Sequence, residues 1–275
     1  MSFANADAAT RPRLAGVGGR IPALGLRLSV LVALIVAWQL ITTVVDDQVS
    51  WPTFTAVAGR LWEAWIASPE AWLENLAPSM IRLLAGWGIA IIVGVAIGTL
   101  IGLSARARDY VDPIIQFLRA IPPPTLLVLF IVLLGIGDSM KVAMIVFGVV
   151  WPILINTADG VASVEPLQRD TGRVFRIGFF DELMRIILPS AGPKIFAGLR
   201  VSLSIAVILM VISELYAATD GVGFQLVQAQ RNFRTLDVWA TVVLLGIIGY
   251  TLNTILAIVE GYVLRWHRGA TGMRG

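Results

Sequence analysis

Apolar residues in this chain gather into uncharged runs instead of alternating with polar ones. The runs cover residues 28–45, 83–103, 120–137, 142–158, 201–216 and 238–259, and Glu214 is the one carboxylate inside any of them. A helix of about 20 apolar residues is about 30 Å long, the thickness of a bilayer's hydrocarbon core. The pattern therefore predicts an all-α polytopic membrane protein with about six transmembrane helices. Between the first two runs, Trp51, Trp62, Trp65 and Trp72 stand among charges, and Pro52 opens a stretch with Val57, Leu61 and Trp65 at helical spacing. An amphipathic helix at the membrane interface fits that stretch, because tryptophan concentrates at headgroup level. Gly94, Gly98 and Gly102 recur every four residues, which lets a second helix approach closely. Residues 104–119, with Arg106, Arg108, Asp109, Asp112 and Arg119, read as a short charged loop, and Pro122, Pro123 and Pro124 as the first turn of the third span.

Composition agrees. Hydrophobic residues make up 57% of the 275 and charged ones 14%, where a soluble domain has about a quarter charged. Mean hydropathy is +0.82. The net charge of +3 reflects arginines beside membrane spans and not nucleic-acid binding. Of the 21 basic residues, only Arg60, Arg82, Lys141, Arg231 and Arg234 fall on one side of a six-span arrangement. The remaining sixteen put both termini and the 164–200 stretch in the cytoplasm. Residues 1–26 and 267–275 are polar and read as cytoplasmic tails, with 27–266 as the transmembrane domain.

Residues 164–200 form the longest polar interruption. Their pattern is a short helix, a turn at Gly178, and a second helix with Phe179, Leu183, Ile186 and Ile187 on one face, before Pro189 and Pro193. Ile186, Leu188 and Pro189 resemble the I-x-L-P end of the E-A-A coupling loop of ATP-binding-cassette (ABC) importer permeases. Counting back puts Asp170, Thr171 and Gly172 at the E-A-A positions and Arg176 at the family's glycine, with Gly178 two residues on. The phrases SMIRLLAGWGIA, GLSARARDYVDPIIQFLRAIPPP and SELYAATDGVGFQLVQAQ extend the resemblance over about 79–266. The chain is similar there to the membrane subunit of nitrate/sulfonate/taurine-type importers. That resemblance implies a type I ABC-importer permease fold in a prokaryotic inner membrane, surrounded by lipid. It implies a second permease copy, two cytoplasmic ATPase subunits and an extracytoplasmic binding protein. It also implies that Asp170, Thr171, Gly172, Arg173, Arg176, Gly178, Phe179, Leu188 and Pro189 couple to the ATPase. The cargo would be a small oxyanion such as a sulfonate, taurine or nitrate.

What the chain lacks points the same way. The two lysines, Lys141 and Lys194, follow Met140 and Pro193, so neither completes a phosphate-binding P-loop. There is no cysteine, and the one histidine, His267, lies in the tail. No nucleophile–base pair, metal site or cofactor is expected, and ATP hydrolysis is expected elsewhere. A secondary transporter driven by an ion gradient is the alternative, although no pair of repeats with broken helices is evident. Inside the runs, Ser213, Glu214 and Asn253 are the candidates for the translocation path. A carboxylate within a span is costly and hence functional by default.

Overall fold

The computed structural model describes residues 23–45, 47, 49–216 and 218–265, leaving His267 and most of both tails outside the described residues. The chain divides at Thr55 into two units. In the first, helix α1 (Ala23–Val44) is followed by a segment that folds back along it. The Trp38 indole N–H donates to the Pro52 carbonyl at 3.2 Å, and its ring meets Phe54 edge-on at 5.7 Å.

The second unit continues α2 (Phe54–Leu61) through a widened turn at Trp62–Ile66. Val57, Leu61 and Trp65 are buried along one face, as their spacing predicts. The Ser68 hydroxyl caps α3 (Pro69–Gly102) by accepting from the Ala71 N–H, with Pro69 in the first turn. Among the described residues, four helices are long and apolar enough to cross a membrane: α3 and three introduced below.

Residues 104–119 are not a loop. They form α4 (Ala105–Ala120), capped by Ser104, and the charges mark its polar face. The chain then breaks at Ile121 and Pro122, because a residue before proline is driven out of the helical region and Ile121 is extended. After a 3₁₀ turn at Pro123–Leu126, α5 (Leu127–Leu134) leaves at 79° to α4. The third span is thus a bent pair. Counting it, up to five spans are present among the described residues against the six expected, and the Ser29–Val44 stretch of α1 is apolar but shorter.

The remaining helices are α6 (Asp138–Ala162), α7 (Pro166–Val174), α8 (Phe179–Tyr216), α9 (Val222–Arg231) and α10 (Thr235–Val263); α6, α8 and α10 complete the four long spans. Helices α3, α6 and α8 enclose the main core, with Leu83, Met144, Ile145, Ile153, Leu203 and Met210 at its centre. The glycine series on α3 lies against α6: a Cβ at Gly98 would sit 2.5 Å from the Leu154 carbonyl, and one at Gly102 2.7 Å from that of Ala158. Only glycine allows the two backbones that close.

Candidate functional site

Glu214, in the last turn of α8, is 1% exposed. A carboxylate there must be matched by donors or it would cost several kcal/mol. Its three partners come from two helices. On α3, the Ser79 hydroxyl lies 2.8 and 2.9 Å from the two carboxylate oxygens. One turn further, Arg82 Nη1 donates to Oε1 at 3.0 Å. The Gly223 N–H at the start of α9 donates to Oε2 at 2.9 Å.

Arg82, itself 4% exposed, engages two more carboxylates. Its Nη2 donates to Asp220 Oδ1 at 2.7 Å and its Nε to Asp138 Oδ1, at the start of α6, at 2.6 Å. Lys141, one turn along α6, is buried with its ammonium 3.7 Å from Asp138 and 3.9 Å from Asp220. The connection from α8 to α9 is folded over this cluster. Gly221 holds φ +113, and a Cβ there would lie 2.5 Å from the Glu214 carboxylate. The Val222 N–H donates to Ser79 Oγ at 2.9 Å, and the Gly221 N–H to Asn75 Oδ1 at 3.2 Å. The cluster acts as a pin: it fastens α3, α6, α8 and α9 to one another.

Sequence reasoning found Glu214 but not its partners. Ser79 and Arg82 fall just outside an apolar run, and nothing in their spacing links them to a residue more than 130 positions away. Ser213, next to Glu214, points elsewhere; its hydroxyl donates to the Met210 carbonyl at 2.7 Å. Asn253 on α10 donates to the Gly249 carbonyl at 2.9 Å and stands 3.5 Å from Ser204 Oγ of α8. Ser204 is ten residues, about 15 Å, along α8 from Glu214, so the three path candidates do not converge.

The polar stretch places Asp170, Thr171, Gly172 and Arg173 in α7, with Gly172 facing Ile186 and Glu182; the Arg173 side chain lies outside the described residues. The turn does not fall at Gly178, which is extended at φ −66, ψ 152. It falls at Arg176, at φ +53, where the Ile177 N–H reaches back to the Gly172 carbonyl at 2.9 Å. That six-residue bond around a left-handed residue is the usual helix C-terminal motif, with arginine in glycine's place. Leu167, Val174, Phe175, Phe179, Phe180 and Met184 are all exposed on this pair of short helices. Pro189 and Pro193 remove two backbone donors from α8, and the turn Leu183–Ile187 just before them widens; Leu188 and Pro189 are half-buried. Ile187 packs with Val161, Val164 and Ala191, joining this segment to the end of α6.

The family model for the binding-protein-dependent transport system inner membrane component matches residues 64–268. The putative aliphatic sulfonates transport permease protein SsuC of Bacillus subtilis (strain 168) is 30% identical over 198 residues, 72% of each chain. The taurine transport system permease protein TauC of Escherichia coli (strain K12) is 29% identical over 88% of this chain and 90% of its own. The nitrate import permease protein NrtB of Leptolyngbya laminosa is 31% identical over 69% of this chain and 68% of its own. Among solved structures, a chain of the MetNI methionine ABC transporter in inward-facing conformations superposes with a TM-score of 0.62 at 17% identity. The match covers 69% of this chain and 94% of that one, and it shows a shared fold.

Proposed function

Since the chain belongs to the family of binding-protein-dependent transport system inner membrane components, we propose that two copies of it form the path by which a small oxyanion, such as a sulfonate, taurine or nitrate, enters a prokaryotic cell. The chain is a multi-pass ABC-importer permease, which implies ATPase and substrate-binding partners. In this reading both termini are cytoplasmic, ATP is hydrolysed by two separate subunits, and the stretch 164–200 docks in a cleft of each.

The observation that carries the reading is the exposed apolar surface on α7 and the first turn of α8. Phe175, in the turn after α7, is 74% exposed and Phe180, in the first turn of α8, 75%, both ahead of the apolar run 201–216. Such a patch on a polar segment fits a protein partner. Force applied to it reaches the membrane through Ile187 and Val164, which pack on the end of α6, and through the unbroken run of α8. Asp170, Thr171, Gly172, Arg173 and Arg176 would shape the lever, Gly178 and Phe179 present its contact face, and Leu188 and Pro189 join it to α8. Glu214 acts on the path by holding the α8–α9 connection in place. Ser213 supports that turn of α8, and Asn253, whose side-chain oxygen has no partner among the described residues, faces the solute.

Reconstitution tests this. The permease, its ATPase and its binding protein in proteoliposomes should take up labelled taurine only with ATP, and a cysteine at Phe179 should cross-link to the ATPase. Uptake driven by a proton gradient without ATP would overturn the reading.

A further inference from the structure

We propose that a cleft bounded by α2, α3, α9 and α10 binds a small zwitterion, one carrying an ammonium group and an oxyanion head. The cleft has a volume of about 230 Å³, below the range usual for drug-sized ligands, and its lining includes Arg60, Glu70, Glu74, Asn75, Arg234 and Asp237.

Two guanidiniums share one carboxylate here. Arg60 Nε pairs with Asp237 Oδ1, and Arg234 Nε lies 3.3 Å from Oδ2. Arg60 also reaches Glu63 at 3.5 Å, but that carboxylate is 70% exposed and holds it weakly. Glu70 and Glu74, one turn apart at the start of α3, have no ion pair among the described residues. One cavity therefore offers under-used donors from α2 and the α9–α10 turn, and unpaired acceptors from α3. A simple anion would meet three carboxylates in the lining, and a simple cation two guanidiniums. A ligand bearing both charges can pair with each.

Asn75 lines the same cleft. It is 7% exposed, and its Oδ1 accepts from the Gly221 N–H at 3.2 Å and from Gln225 Nε2 at 3.1 Å. Those two bonds fix the amide's orientation and leave Nδ2 as an unpaired donor among the described residues, in a side chain that lines the cleft. That donor is free to face the cleft, and an oxyanion accepting from it beside Arg60 and Arg234 would gain a charge-assisted hydrogen bond. Because Asn75 also holds Gly221, occupancy would bear directly on the α8–α9 connection.

That the cleft opens to the outside rests on the orientation proposed above; binding does not. The test uses the permease–ATPase complex in nanodiscs without binding protein, with labelled taurine and its carboxylic analogue β-alanine in equilibrium dialysis. The expected result is saturable binding of one ligand per permease chain, weakened at least tenfold by Arg234→Gln and by Glu74→Gln. Ethanesulfonate and ethylamine, each bearing one of the two charges, should compete at least tenfold more weakly. Both substituted residues are exposed, so the variants should keep the parent's thermal midpoint. Absence of saturable binding of either zwitterion, or binding unchanged in both variants, would overturn the proposal. So would ethanesulfonate competing as well as taurine, which would mark a plain anion site. ATP-driven uptake persisting in a complex that fails this test would refute the cleft and spare the functional reading; binding without uptake would do the reverse.

Discussion

Arg82 Nη1 stands 3.0 Å from Glu214 Oε1, each side chain shielded from solvent, and the contact joins residues 132 positions apart. The pair does not stand alone. Arg82 points one nitrogen at each of three carboxylates, those of Glu214, Asp220 and Asp138, on α8, on the α8–α9 connection and on α6.

This geometry makes the guanidinium hard to replace. A lysine has a single ammonium on a flexible stem and cannot serve three acceptors in fixed directions. Arg82→Ala strands buried negative charge and should destabilise by about 3–5 kcal/mol. Arg82→Lys should lose most of the same stability, and Glu214→Gln less, because the amide keeps the shape. Thermal unfolding of the purified protein reads all three; an Arg82→Lys midpoint equal to the parent's would show that the three-way contact is dispensable.

Two glycines separate strain from entropy. Gly221 combines φ +113 with the Glu214 carboxylate 2.5 Å from where a Cβ would sit, so Gly221→Ala should cost about 2 kcal/mol or more. Gly59 lies within α2 with nothing inside 4 Å of its Cβ position. There Gly59→Ala should stabilise by about 0.5–1 kcal/mol. Opposite signs in paired denaturation curves are the expected outcome.

At the extramembrane turn the prediction concerns Arg176. Arg176→Gly should relieve a left-handed conformation worth about 1 kcal/mol and slow amide hydrogen exchange in the turn. Gly178 sits at φ −66, close to the value proline imposes, and its N–H has no partner among the described residues. Gly178→Pro should accordingly retain uptake, whereas Arg176→Pro, at a position needing positive φ, should abolish it. Loss of uptake in Gly178→Pro with Arg176→Pro active would contradict the placement of the turn.

Sidedness can be read with single cysteines, because the chain has none of its own. Ser139, Thr219, Ser104 and Ser190 are all exposed. An impermeant maleimide added outside intact cells should label Ser139→Cys and Thr219→Cys but not Ser104→Cys or Ser190→Cys. Labelling at Ser190 from outside would reverse the orientation and place the 164–200 stretch away from any cytoplasmic ATPase.

The sequence by itself determined the class of the fold and where its long apolar stretches lie. Long uncharged runs have few alternatives once backbone groups must be satisfied without water. It also marked the close approach of α3 through Gly98 and Gly102, and the buried face of Val57, Leu61 and Trp65, because both are periodic signals within one helix. The turn near Gly178 was legible only to within two residues. Glycine composition pointed to 178, while the backbone bond from Ile177 to Gly172 sets the left-handed residue at Arg176. The break before Pro123 turned an expected loop and span into two helices at 79°, since the proline cluster acts on φ and ψ of the residue ahead and not on hydropathy. What surrounds Glu214 was decided by tertiary structure alone. Ser79, Arg82, Asp138, Lys141 and Asp220 sit at the ends of separate apolar runs, where charge is unremarkable. They become a site only when helix packing removes the water between them, and a carboxylate that has lost its water must find its donors in whichever helices arrive beside it.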